Sequence, residues 1–194
     1  MTVSRVLETV LRDMPFYQTS GGGMTLSGGE PLYQSAFSCE LLKEAKKMGL
    51  HTCVETSGFA AKQILQEIAA HTDLFLYDWK LTDPNLHHQY TGVSNTKIRE
   101  NLYLLSGMGK EIILRCPVIP GVNDTTEHFS GIAELADELD AIRWVELEPY
   151  HPLGSGKSAM LGKAVRSFTQ PGQDIVARWQ AKLSLLTEKE IKIG

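Results

Sequence analysis

Two glycine clusters flank four residues in the run Gly21-Gly22-Gly23-Met24-Thr25-Leu26-Ser27-Gly28-Gly29-Glu30-Pro31, and a carboxylate and a proline close it. Glycines at the end of a strand let bare backbone N–H and C=O groups approach a ligand, because no Cβ stands in the way. Glu30 adds one fixed negative charge beside that backbone, which suits an ammonium group better than a phosphate. A phosphate loop carries a Lys and a Ser or Thr after its glycines, whereas Glu-Pro follows here. A plain tight turn is glycine-rich as well, so this run does not decide the matter alone. Further along, Glu55, the Asp78/Lys80 pair, Arg115, and Glu148 with His151 stand at the ends of segments that read as strands. Each has a structural reading: Glu55 as a charge at a helix start, Asp78 and Lys80 neutralising each other, Arg115 as an ion-pair donor, His151 as a loop residue. Charges of both signs on successive strand ends predict a polar pocket for a ligand that carries both signs itself.

The elements that must position these residues alternate between strand and helix. Thr2 to Met14 is predicted helical, with Val3, Val6, Leu7 and Val10 on one side and Pro15 ending it. Residues 24–27 form a strand, and a helix from Tyr33 to Met48 carries Leu41, Ala45 and Met48 at helical spacing before a stop at Gly49. His51 to Glu55 is the next strand, closed by Thr56-Ser57-Gly58, and Ile64, Leu65 and Ile68 mark a helix. In the strand Leu74 to Lys80, alternation puts Leu74, Leu76, Asp78 and Lys80 on one face and Phe75, Tyr77 and Trp79 on the other. Apolar residues on both faces predict cover on both sides, as in parallel sheets. A helix around Ile98 to Met108 precedes the strand Glu111 to Ile119 and the turn Pro120-Gly121-Val122-Asn123-Asp124. Asp124 and Glu127 read as a capping pair for a helix carrying Ile132, Leu135, Ala136 and Leu139. A strand Ile142 to Glu148, a loop Pro149 to Ser158, an irregular stretch 159–172, a helix Asp174 to Leu186 and a strand Ile191 to Ile193 complete the chain. The alternation predicts an α/β fold of βα units with a parallel sheet, in one domain over 1–194.

The bulk numbers narrow the function classes. The chain has 194 residues, enough for a core of its own, with 42% hydrophobic and 22% charged residues. A net charge of −4 gives no basic field for nucleic acid and no polybasic patch for a membrane. No apolar run approaches the ~20 residues that span a bilayer, and no signal peptide opens the chain. These features point to a cytoplasmic protein. Cys39, Cys53 and Cys116 are scattered and odd in number, so they form neither a disulfide framework nor a metal knuckle. They are expected to be small buried side chains.

The order Ser-Gly-Gly-Glu-Pro (27–31), Glu-Thr-Ser-Gly (55–58), Asp-Trp-Lys (78–80), Arg-Cys-Pro-Val-Ile-Pro-Gly-Val-Asn-Asp (115–124) and Glu-Pro-Tyr-His-Pro-Leu-Gly (148–154) resembles the glycyl-radical-enzyme activating enzymes. These belong to the radical S-adenosylmethionine (SAM) superfamily, with pyruvate formate-lyase activase as the familiar member. The resemblance implies a partial (β/α)6 TIM-like barrel of parallel strands that binds SAM. It implies that Gly28, Gly29 and Glu30 bind the methionine amino group and that Lys80 contacts the carboxylate, with Asp78 nearby. It implies that Arg115 and His151 line the ribose and adenine side, and that Glu55, Thr56 and Asp78 form a monovalent-cation site. The implied partners are a glycyl radical enzyme as protein substrate and reduced flavodoxin or ferredoxin as electron donor. Pro15-Phe16-Tyr17 looks most like the larger activases, which carry an inserted ferredoxin-like cluster domain.

The family's Cys-x3-Cys-x2-Cys loop, which ligates a [4Fe–4S] cluster, is absent, and so is the barrel strand that carries it. Met1 therefore reads as an internal methionine of a longer protein, and the cluster is expected only in the full-length parent. The parent would cleave SAM reductively and take hydrogen from a partner's glycine; this chain alone is expected to be inactive. The strand 24–27 is expected to be left as an unpaired edge that invites self-association. Trp79 stands where leucine is usual, and Glu55 where the smallest activases have aspartate. Two other readings stay open. One is a Schiff-base βα-barrel lyase using Lys80 with Asp78 as its acid–base neighbour; the other is a non-catalytic SAM-binding or partner-docking remnant.

Overall fold

A computed structural model describes residues 2–152 and 168–194, so the predicted loop after Pro152 and most of the irregular stretch lie outside the described residues. The elements up to the second strand are α1 (Val3–Val10), α2 (Met14–Ser20), β1 (Gly23–Leu26), α3 (Ser35–Lys47) and β2 (His51–Thr56). Then come α4 (Lys62–Ala69), β3 (Leu74–Asp78), α5 (Pro84–Thr91), α6 (Thr96–Gly107) and β4 (Glu111–Val118). The last are α7 (Thr126–Glu138), β5 (Ile142–Pro149), α8 (Gln173–Ser184) and β6 (Glu190–Ile193). The strands follow chain order in one sheet, and β1 has β2 as its sole sheet neighbour among the described residues. Pairing is parallel, with Gly23 opposite His51, Cys53 opposite Leu74 and Trp144 opposite Glu190. This is the α/β architecture that the alternation predicted. No described helix is long and apolar enough to cross a membrane. The chain divides into two compact units, Met1–Asp78 with Thr96–Ile113, and Trp79–Asn95 with Leu114–Gly194.

In the first unit, the predicted N-terminal helix is two helices joined by a 3-10 turn, Leu11–Asp13. Pro15 sits in the first turn of α2 and starts that helix instead of ending one. A proline's missing N–H would have had no partner there, and its fixed φ suits a helix start. Glu30 caps a short 3-10 turn, Pro31–Gln34, that leads into α3. Leu41, Leu42 and Ala45 are buried on α3, whereas Met48, just past the last turn, is 43% exposed and outside the core. In β3, Phe75 and Tyr77 are fully buried while Leu74 and Leu76 are half-buried, so the two faces are covered unequally. Of the cysteines, Cys53 and Cys116 are buried as expected, and Cys39 on α3 is half-exposed. Gly58 has φ +70°, and a Cβ there would stand 1.8 Å from the Tyr77 hydroxyl.

In the second unit, α5 opens with Asp83, whose Oδ1 accepts from Asn85 N at 2.8 Å and Leu86 N at 2.7 Å, and Pro84 fills the first turn. The sequence reading passed over this helix, although Asp-Pro is itself a cap followed by a first-turn proline. The cap of α7 is Thr125, whose hydroxyl accepts from His128 N at 3.2 Å. The predicted cap, Asp124, is one residue early because its carboxylate accepts from Gly121 N at 2.7 Å to close the preceding turn. Ile132, Leu135, Ala136 and Leu139 are buried as predicted. His128 is 3% exposed, and its Nδ1 accepts from Thr82 N at 3.2 Å. The neutral ring therefore carries its proton on Nε2, and burial holds the imidazole down at about 4.

Two outcomes follow from this packing. Gly58→Ala combines left-handed backbone with a clash against Tyr77, and should cost at least ~1–3 kcal/mol in urea unfolding. His128 has a folded value of about 4 against an ordinary 6.5, so the unfolded chain takes up a proton that the folded chain refuses. Stability should therefore fall as pH drops from 6.5 towards 4, by up to roughly 3 kcal/mol from this group. Unfolding midpoints across that interval, with and without His128→Gln, check it.

Candidate functional site

In the first unit the glycine turn after β1 adopts φ +85° at Gly28 and +48° at Gly29, a backbone that glycine tolerates best. Both residues are exposed, and a Cβ built on either would meet nothing within 4 Å, so the turn presents bare peptide groups. Glu30 follows, half-buried. Its Oε1 accepts from the Thr56 hydroxyl at 2.6 Å and Leu32 N at 3.2 Å, and its Oε2 from the Ser57 hydroxyl at 2.6 Å and Ser57 N at 3.0 Å. A carboxylate has about four acceptor positions, so these donors fill them. What Glu30 has to offer a ligand at the turn is its charge, with its lone pairs already committed.

The neighbouring groups extend this cluster. Ser27 donates to Glu55 at 2.7 Å, and the buried Thr56 hydroxyl also accepts from Gly58 N at 2.9 Å. Asn101 Nδ2 fixes the following turn by donating to Gly58 O at 2.7 Å and Ala60 O at 3.0 Å. The Tyr77 hydroxyl donates to Ile98 O at 2.6 Å; burial, with a smaller push from the Glu30 charge, raises its phenol far above the ordinary range. Asp78, half-buried, ends β3. Glu30, Glu55, Thr56 and Asp78 thus lie at or just beyond the C-terminal ends of three parallel neighbouring strands, as the sequence predicted. Sequence reasoning assigned no role to Ser27 and Ser57, although both hydroxyls stood inside the quoted motifs.

In the second unit Lys80 is half-buried two residues beyond β3, and its carbonyl accepts from Asn123 Nδ2 at 2.8 Å. Asn123, 3% exposed, also donates to Pro117 O at 2.7 Å and accepts from Ile119 N at 2.7 Å. It pins the Pro-Gly-Val-Asn turn, a role the sequence reading did not see. Arg115 Nε donates to Glu148 Oε1 at 2.9 Å, Nη2 pairs with the same carboxylate, and Nε lies 3.2 Å from Glu146 Oε2. The ion-pair reading of Arg115 is therefore realised, with Glu146 as a partner that was missed. The signal was there, since Glu146 and Glu148 are two apart on one strand and so share a face. His151 is exposed just past β5.

Comparison with known proteins shows the family. The profile of the Radical SAM superfamily matches residues 2–136. The chain is 39% identical over 164 residues to the choline trimethylamine-lyase activating enzyme of Oleidesulfovibrio alaskensis, covering 83% of this chain and 53% of that protein. It is 38% identical over 168 residues to the pyruvate formate-lyase-activating enzyme of Staphylococcus epidermidis, covering 84% of this chain and 67% of that protein. The chain thus spans about half the length of the first relative. A crystal structure of a domain of pyruvate-formate lyase-activating enzyme from Bacteroides vulgatus superposes with a TM-score of 0.74 at 26% identity, covering 89% of this chain and 99% of that one.

The Glu30 cluster makes a direct prediction. In Glu30→Gln the amide can satisfy one side of the cluster but turns an N–H₂ group towards donors on the other. The loss should be roughly 1–3 kcal/mol, read as a shift in the urea midpoint with an unchanged slope.

Proposed function

The chain belongs to the radical SAM superfamily, in its activating-enzyme branch, and on that premise we propose that it is the SAM-binding core of an enzyme that activates a glycyl radical enzyme. The observation that carries this reading is the exposed Gly28-Gly29 backbone held beside a Glu30 carboxylate that Thr56 and Ser57 lock in place. SAM brings an ammonium, a carboxylate and a sulfonium. Peptide carbonyls at Gly28 and Gly29, with the Glu30 charge, suit the ammonium, and Lys80 suits the carboxylate, with Asp78 nearby. Arg115 and His151 serve the ribose and adenine side. Arg115 does so while braced by Glu146 and Glu148, which fixes its orientation. Glu55, Thr56 and Asp78 are the proposed monovalent-cation ligands.

The superfamily implies a [4Fe–4S] cluster beside SAM, supplying the electron for reductive cleavage. The cysteines present do not fit one. Cys39 lies on α3, Cys53 within β2 and Cys116 within β4, and no described His, Cys, Asp and Glu side chains form a metal-holding group. This chain's own part is therefore ligand seating. In the whole protein, the proposed partners are a glycyl radical enzyme as substrate and reduced flavodoxin or ferredoxin as donor. The relatives are activating enzymes, which leaves the Schiff-base use of Lys80 without support.

Titration calorimetry of the chain with SAM should show binding that weakens at least tenfold, about 1.4 kcal/mol, in both Lys80→Met and Glu30→Ala. Absence of a SAM-dependent heat in the wild-type chain, or a borohydride-trapped carbonyl adduct on Lys80, would overturn the assignment.

A further inference from the structure

Lys80 stands just past the point where the sheet stops holding the chain. Trp79 N donates to Arg115 O at 2.7 Å. In a parallel ladder the carbonyl of that same residue would accept from the N–H two positions further along the neighbouring strand. That position is Pro117, which has no N–H, so the ladder cannot continue through it. A chain released there would leave buried peptide groups without partners.

The Asn123 side chain supplies the partners. Its amide nitrogen donates to Lys80 O at 2.8 Å and to Pro117 O at 2.7 Å, while its Oδ1 accepts from Ile119 N at 2.7 Å. Pro117 O and Ile119 N are the groups a further ladder residue would have bonded, so a side-chain amide stands in for a missing peptide. Both amide hydrogens and the oxygen of Asn123 are engaged, and the residue is buried. The next two residues are held in the same way. Asn95 Nδ2 donates to Leu81 O and to Thr82 O, each at 2.8 Å, and Thr82 N donates to His128 Nδ1 at 3.2 Å. Asn123, Asn95 and His128 are all buried and come from three other stretches of chain. A lysine stem has its own rotamer freedom, and a loose backbone would add to what must be ordered when a ligand is seated.

We propose that Asn123 is a positioning residue for Lys80: by holding the Lys80 carbonyl it sets the ammonium against the carboxylate of SAM. This role rests on the assignment of Lys80 to that carboxylate under the activating-enzyme reading.

Decarboxylated SAM separates positioning from mere stability, because it keeps the ammonium and sulfonium and lacks the group that Lys80 meets. In titration calorimetry the unsubstituted chain should bind SAM at least about tenfold more tightly than decarboxylated SAM. Asn123→Ala should weaken SAM at least about fivefold and decarboxylated SAM less than about twofold; added to Lys80→Met, it should weaken SAM by no more than about a further twofold. Asn123→Ser, which keeps one hydroxyl, should fall between, and it carries the test if circular dichroism shows the alanine variant unfolded. Asn101→Ala removes an equally buried amide clamp in the first unit and should leave the preference for SAM over decarboxylated SAM within about twofold of its starting value. Equal weakening of both ligands in the Asn123 variants, or an undiminished preference for SAM, overturns the positioning role while SAM binding itself stands. Absence of a SAM heat in the unsubstituted chain defeats the functional reading instead. The clamp is then judged by ¹⁵N relaxation of the ligand-free chain, where the Lys80 and Leu81 amides should be as ordered as those of β4 and should loosen in Asn123→Ala. Unaltered relaxation at both residues overturns it.

Discussion

The carboxylate of Glu30 is the group on which the first unit's candidate site depends. Four donors converge on it from two stretches of chain: Leu32 on its own side, and Thr56 and Ser57 from the end of β2. Hydrogen bonds to a charged acceptor are roughly twice as strong as neutral ones. The Thr56 and Ser57 hydroxyl bonds, at 2.6 Å each, have the length expected of that class. The result is a staple between the glycine turn after β1 and the turn after β2, tightened further where Thr56 accepts from Gly58 N and Asn101 holds Gly58 O. Glycine is flexible by nature, so a ligand-facing Gly-Gly turn needs its flanks immobilised if its peptide groups are to be preorganised. Glu30 does this from one side, and it leaves a net negative charge where the backbone is barest.

In the second unit a cation is the group held in place. Arg115 is held by two carboxylates on the adjoining β5, which leave its guanidinium little rotational freedom. Two buried ionisable groups, Tyr77 and His128, are kept neutral. Burial pushes the Tyr77 phenol up and the His128 imidazole down, so neither adds charge to its surroundings.

The sequence disclosed the frame because the frame is local. A period of two in Leu74 to Asp78, a period near 3.6 in α3 and α7, and glycines at helix stops each follow from a few adjacent residues. The errors arose where two local rules competed. Pro15 reads as a stop until one sees that a first turn accepts proline, and Asp124 reads as a cap until the Gly121 turn claims its carboxylate. Site residues were visible as chemical types at strand ends, but their pairings were not. Ser27 with Glu55, Ser57 with Glu30 and Arg115 with Glu146 are separated by 27 to 31 residues in sequence. Which of them meet depends on strand register, and a shift of one residue would send every one of these side chains to the opposite face.

That dependence on register also settles what the cysteines are for. In β2, Cys53 alternates with Thr52 and Val54 in a strand whose middle is buried, and in β4 Cys116 sits between Arg115 and Pro117 with no exposed surface. A thiolate that ligates iron must share one centre with at least two others, and a buried thiol inside a strand cannot turn outward without breaking the ladder that holds it. Cys53 and Cys116 therefore serve packing. In the first unit the charged groups at strand ends are of another kind, the carboxylates of Glu30, Glu55 and Asp78, while Cys53 within β2 is buried packing.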